Sequence, residues 1–195
     1  MANIHYIRQK EPLGLGHAIY CARSFIGDEP FAVMLGDDIV HHQTPCLKQL
    51  MDVHQQYGGN VIGIQQIPPE NVNKYGIIDP GKQLSERLHE VKALVEKPSI
   101  QDSPSNYAIM GRYLLDPAIF DVLQHLPPGR AGEIQLTDAI QELKNTSNVY
   151  AFAFEGLRFD VGDKIGFVKA TLHWAMSRED MRAELIAYMK KNQMI

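Results

Sequence analysis

No stretch of this 195-residue chain approaches the ~18 consecutive apolar residues that a membrane-spanning helix needs. Its opening, MANIHYIRQKEP, has neither the basic run nor the apolar core of a secretory signal. Cysteine is scarce. Cys21 and Cys46 are too far apart for a C-x-x-C motif, so both are expected as reduced thiols in a cytoplasmic protein. A formal net charge of -4 offers no basic footprint for nucleic acid. Phosphate loops of the form G-x-x-x-x-G-K-[ST] are absent, and Gly14-Leu-Gly-His-Ala-Ile19 fails as a dinucleotide fingerprint because Ile19 takes the place of its third glycine. No internal repeat, low-complexity tract or linker divides the chain, so residues 1–195 are expected to form a single domain.

What is present is ordinary globular material, with 45% hydrophobic and 22% charged residues. A chain of this length buries roughly two-thirds or more of its unfolded surface. The apolar pattern alternates between short runs and longer helical spacings, which argues for an α/β domain. Strands are expected at Ile4–Ile7, Phe31–Leu35, Val61–Ile67, Tyr75–Asp79, His89–Glu96, Tyr107–Leu115, Val149–Phe154 and Arg158–Val161. Helical spacing covers Gly14–Phe25, the stretch from Pro45 to Gly58-Gly59, Pro117–His125, Glu133–Lys144 and most of Lys164–Asn192. Pro80-Gly81 reads as a turn after its strand. Cys21 shares a helical face with Ala18, Ala22 and Phe25, which suits core packing.

Several motifs carry chemistry, and each also has a structural reading. Asp37 lies just past a buried strand, at the carboxyl edge where α/β sheets bind ligands, although Asp37-Asp38 also suits a turn. Glu96 and Lys97 are adjacent, so in a regular strand they face opposite ways. They serve one ligand only if the strand ends or bulges, which Pro98 favours, and otherwise they are a solvated pair. Gly76 either admits a ligand close to the backbone or simply turns the chain. Gly14 and Gly16 stand where a helix starts and exposes N–H groups. Asp163 suits the N-cap of the helix from Lys164. His41-His42 lacks a nearby third ligand and reads as surface, while Thr137-Asp138 either orients a neighbouring loop or packs.

Taken in order, Gln9–Ala18 (QKEPLGLGHA), Leu35-Gly-Asp-Asp38, Tyr75-Gly-Ile-Ile-Asp79, Val95-Glu-Lys-Pro98, Ala108-Ile-Met-Gly-Arg-Tyr113, Glu133–Ile140 (EIQLTDAI) and Arg158-Phe-Asp-Val-Gly162 resemble the bacterial UTP–glucose-1-phosphate uridylyltransferases. The resemblance runs from Ile4 to about Met189. It implies a three-layer α/β sandwich around a mixed, mostly parallel sheet of Rossmann-like type. It also implies uridylyl transfer from UTP to glucose-1-phosphate, giving UDP-glucose and pyrophosphate. By the same resemblance, Asp37 and Asp160 hold Mg²⁺, Lys97 contacts the sugar phosphate, Glu96 accepts bonds from glucose hydroxyls, Gly76 lies close to the hexose, and Gln9 and Gly14 read uracil and ribose. Asp37, Lys97 and Asp160 are thus the expected catalytic set. Mg²⁺ fits a carboxylate pair because it takes one or two protein carboxylates, with phosphates and water completing the shell.

The family's glycine-rich loop, of the form G-x-G-T-R, and a nearby lysine precede the matched region and do not occur in these residues. The fold is therefore expected to be N-terminally truncated, without the first βα phosphate-loop unit, and turnover is expected to be little or none. The rival reading is a non-catalytic sugar-nucleotide-binding or interaction module. Uncovered strand edges invite pairing, so a homodimer or higher homo-oligomer is expected. No nucleic-acid or membrane partner is expected.

Overall fold

A computed structural model describes residues 2–195, which form two compact units. The larger comprises residues up to Met34 together with Thr44–Glu155, and the smaller Leu35–Gln43 with Gly156–Ile195.

The larger unit is built on a six-stranded sheet. Its strands are β1 (Phe31–Met34), β3 (Asn60–Gln66), β4 (Gly76–Ser85), β5 (Leu88–Glu96), β6 (Tyr107–Leu115) and β7 (Val149–Ala153). They lie in the order β1-β6-β3-β7-β5-β4, with β4 also touching β6. The sheet is mixed, as expected, but its balance is not. Among the described residues β3–β7 is the parallel pairing, and every other pairing is antiparallel. The cause is connectivity: β4 and β5 are joined by a tight hairpin, and β6 runs against both β1 and β3.

Helices cover both faces of this sheet. Helix α3 (Cys46–Tyr57) packs on β3 and β6 and buries Leu50 and Val53. Gly58 stops it at φ 68, a conformation few side chains tolerate. Against the core cluster of Ile62, Ile64, Tyr113 and Leu115 lie α4 (Ile119–His125) and α5 (Leu136–Leu143), through Phe120, Leu123, Ile140 and Leu143. Each such fully buried side chain stabilises the fold by about 1.5–3 kcal/mol. Helix α5 also packs on β5, which brings its first turn to the end of that strand.

The amino-terminal stretch departs from expectation. Ile4–Ile7 forms no strand; these residues are exposed and join no ladder among the described residues. The helix expected over Gly14–Phe25 is two pieces, α1 (Leu15–Tyr20) and α2 (Arg23–Ile26), broken at Cys21-Ala22. Phe25 consequently stays exposed and packs on the His5 ring, and Cys21 is only half-buried rather than part of the core. Pro80-Gly81 is no turn either. Strand β4 carries both residues through register shifts, a bulge that accommodates proline's missing N–H.

The smaller unit pairs β2 (Asp38–His41) with β8 (Leu157–Asp160) in an antiparallel ribbon, in register Asp38↔Asp160. Helix α6 (Lys164–Ser177) packs on β8, and α7 (Glu179–Lys191) packs on α6. Asp163 caps α6 as expected, its Oδ2 accepting the Gly166 N–H at 3.1 Å. No helix of the described residues is long and apolar enough to cross a membrane.

Candidate functional site

In the larger unit the structure brings Gly76, Glu96 and Lys97 together. Gly76 opens β4 directly opposite Glu96, the last residue of β5. Lys97 then takes φ 46, a left-handed conformation that costs a non-glycine residue roughly 1–2 kcal/mol. That reversal resolves the alternation problem posed by adjacent Glu96 and Lys97. Rather than facing opposite ways, Lys97 Nζ lies 3.4 Å from Glu96 Oε1. The Lys97 N–H donates to Tyr75 O at 3.0 Å, and the Lys97 carbonyl accepts from Arg130 Nη1.

Helix α5 supplies a second contact. Thr137, buried on its first turn, donates Oγ1–H to Glu96 Oε2 at 2.6 Å. A Cβ on residue 76 would stand 2.8 Å from that hydroxyl and 3.2 Å from Glu96 Oε2, so only glycine leaves the bond undisturbed. Glu96 keeps about 12% of its side chain exposed. It is a carboxylate fixed at one oxygen by a hydroxyl and beside a cation at the other, an arrangement suited to accepting bonds from a polyol next to an anion.

Burial, and after it the neighbouring Glu96 carboxylate, holds the Asp138 carboxyl above its usual range. Raising an acid's pKa in the folded state means that the folded chain binds the proton more tightly. Stability is then lost as pH rises from the unfolded value through the folded one. Asp138→Asn is expected to raise the melting temperature at pH 7, with the gain vanishing near pH 3; thermal unfolding at both values checks it.

Gln9 and Gly14 also meet. The Gln9 Nε2 donates to Gly14 O at 3.0 Å and lies 3.0 Å from His17 Nδ1. Gly14 has φ 96, and a Cβ there would come within 2.8 Å of Glu133 Cβ and 3.0 Å of Ile134 O. The loop is stitched to that segment by Ile134 N–H to Leu13 O at 2.8 Å and Gly16 N–H to Ile134 O at 2.9 Å.

In the smaller unit, Asp37 and Asp160 converge on Gly162. A Cβ on Gly162 would lie 3.1 Å from Asp37 Oδ2 and 3.3 Å from Asp160 Oδ1. Its absence leaves a cradle flanked by two carboxylate oxygens, a donor set that fits a hard cation such as Mg²⁺. Asp38 turns elsewhere. It is buried and ion-paired with Arg158, whose Nη2 also lies 3.4 Å from Asp160 Oδ2. His41, read as surface, is exposed but not isolated: its Nδ1 lies 2.6 Å from His173 Nε2, and its ring packs on Trp174. No cluster of three His, Cys, Asp or Glu side chains suited to a metal occurs among the described residues.

Sequence reasoning left Thr137 undecided and missed Arg130 and Gly162. The Phe-Asp-Val-Gly162 motif held a signal for the last, since glycine two residues past a carboxylate leaves room beside it. Nothing local marked Arg130, which acts 33 residues away from its partner.

A family model described as nucleotidyl transferase matches residues 1–176. The chain belongs to the nucleotidyl transferase family. Among curated members it is similar to the UTP–glucose-1-phosphate uridylyltransferase of Bacillus subtilis (strain 168), 54% identical over 190 residues, covering 97% of this chain and 65% of that protein. The namesake of Staphylococcus epidermidis (strain ATCC 12228 / FDA PCI 1200) is 52% identical over 191 residues, covering 98% of this chain and 66% of the relative. The chain thus spans about 65% of the length of these family members. Among solved structures it resembles a UDP-glucose pyrophosphorylase complexed with UDP-glucose, with TM-score 0.86, 41% identity, and coverage of 89% of this chain and 66% of that one. A UTP-bound enzyme from Acinetobacter baumannii gives TM-score 0.84 at 35% identity, covering 94% of this chain and 64% of that one.

Proposed function

We propose that this chain carries the sugar-phosphate and metal-binding elements of a UTP–glucose-1-phosphate uridylyltransferase. At the full length of its relatives, such a protein would transfer a uridylyl group from UTP to glucose-1-phosphate, forming UDP-glucose and releasing pyrophosphate. The observation that carries the reading is the Glu96–Lys97 pair, turned to one side and keyed by Thr137. Glu96 would accept bonds from glucose hydroxyls, and Lys97 would offset the phosphate charge as a compact cation. Gly76 would let the hexose approach the backbone. Gln9 and Gly14 would meet the uracil and ribose, with the Gln9 amide exchanging its bond to Gly14 O for one to the base.

Asp37 and Asp160 would hold Mg²⁺ at the Gly162 cradle. Bound there, the ion would supply positive charge against the phosphates of the nucleotide. The attacking phosphate oxygen is already ionised, so no general base is required, and His17 needs no catalytic role. The 195 residues contain no G-x-G-T-R loop, and turnover by these residues alone is expected to be little or none.

Calorimetric titration with UDP-glucose, with and without Mg²⁺, tests this reading. Wild type should bind in a metal-dependent manner, and Asp37→Ala and Glu96→Ala should each abolish the heat. No binding to a folded wild-type chain would overturn the reading.

A second reading, homo-oligomerisation, is favoured by β1. It ends the sheet, and its Met34 is 56% exposed. A free strand edge pairs readily with a second copy. Light scattering is expected to show a dimer or larger species, and a monomer at high concentration would count against it.

A further inference from the structure

We propose that Arg130 is a positioning residue, which holds Lys97 in the left-handed conformation that turns its ammonium to the same side as Glu96. The proposal rests on the reading of Glu96 and Lys97 as the sugar-phosphate pair, and deepens it.

Lys97 sits at φ 46 without being glycine, so something outside the residue must over-determine that state. Its neighbours limit the candidates. Pro98 has no N–H with which to continue a ladder, so β5 ends here whatever Lys97 does. On its amino side, Lys97 N–H bonds Tyr75 O at 3.0 Å, extending the β4–β5 pairing by one rung. That bond is equally compatible with continued strand geometry and does not select the reversal. The carbonyl lies on the side of the residue that the reversal re-aims, and its partner is the Arg130 guanidinium.

Arg130 is itself placed. It opens a 3-10 turn, Arg130–Gly132, closed by Gly132 N–H to Gly129 O at 3.1 Å. The turn is bound from below by Gly129 N–H to Glu133 O at 2.8 Å, and Gln135 Nε2 reaches Arg130 O at 3.3 Å. This same segment runs into α5 and Thr137. One short stretch of chain therefore fixes the carboxylate of Glu96 through a hydroxyl and the backbone of Lys97 through a guanidinium. The rival role for Arg130, a direct contact with the sugar phosphate, predicts something different: its effect would persist without the Lys97 ammonium.

Two measurements on the full chain decide the matter. The first needs no ligand. A residue at positive φ has its amide and Hα protons unusually close, so Lys97 should give a strong intraresidue NOE in wild type. Arg130→Ala should weaken that NOE and move the Lys97 Cα and Cβ shifts, with the core resonances of Ile62 and Leu136 unchanged. An unaltered Lys97 NOE in Arg130→Ala overturns the proposal, whether or not the chain binds sugar phosphate.

The second is a double-mutant cycle read as glucose-1-phosphate affinity. Arg130→Ala should weaken binding about tenfold in the wild-type background and leave it unchanged in Lys97→Met. An equal loss in both backgrounds overturns positioning in favour of direct phosphate contact. Absence of binding by wild type defeats the sugar-phosphate reading itself, and the NOE still decides what Arg130 does to Lys97.

Discussion

Gly166→Ala is expected to unfold the smaller unit under conditions where the wild type stays folded. Helix propensity alone favours the change by about 1 kcal/mol, since alanine loses less backbone entropy than glycine in a helix. Space decides otherwise. A Cβ on residue 166 would lie 1.8 Å from the Asp160 carbonyl oxygen and 2.9 Å from its carbon. Both are backbone atoms, so no side-chain rotation relieves the clash, and α6 must leave β8. Overpacking of this kind costs roughly 3 kcal/mol or more. The displaced residue is Asp160, so metal-dependent binding should fail together with stability. The chain's one tryptophan, Trp174, lies on α6 and reports the transition by fluorescence in urea. Gly36→Ala is the control, because a Cβ there meets nothing within 4 Å. A midpoint in Gly166→Ala equal to that of Gly36→Ala would show that α6 does not require this close approach.

Gly76→Ala is expected to have the largest effect in the other unit, on affinity more than on stability. The added methyl would stand 2.8 Å from Thr137 Oγ1, 3.1 Å from Ile109 Cδ1 and 3.2 Å from Glu96 Oε2. The two polar neighbours can swing away, and in doing so they break the bond that fixes Glu96. A hydrogen bond to a charged group is worth about 1.5–3 kcal/mol, which corresponds to roughly ten- to a hundredfold in affinity for glucose-1-phosphate. Thr137→Val should reproduce much of the loss without adding bulk at residue 76. If Gly76→Ala lowers the melting temperature but leaves calorimetric affinity intact, the Thr137–Glu96 bond does not serve the sugar site.

Much of this was legible in the chain, for identifiable reasons. Tyr107–Leu115 reads correctly to the residue because nearly every position of β6 is buried, so its length is apolar but for Gly111 and the buried Arg112. Asp163 announces its cap by local chemistry alone. The sequence is silent where the decisive partner is distant. Ile4–Ile7 has strand composition, yet it meets no ladder among the described residues, and composition without a partner makes no strand. Gly14–Phe25 has helical spacing that ignores the break at Cys21-Ala22. Glu96 and Lys97 pose a conflict that strand alternation cannot resolve, because its solution is a strained φ secured by a side chain from another loop. Family resemblance supplied the roles proposed for Asp37 and Asp160. The geometry supplied what resemblance did not, the approach of both carboxylates to Gly162, whose N–H donates to Asp160 Oδ1 at 3.2 Å.

The ribbon of β2 and β8 joins segments about 120 residues apart. During synthesis at about 5–20 residues per second, β2 therefore waits on the order of ten seconds for its mate to leave the ribosome. Through that interval Asp37 has been made and Asp160 has not. The two carboxylates that face Gly162 are thus brought together only when this long-range ribbon closes.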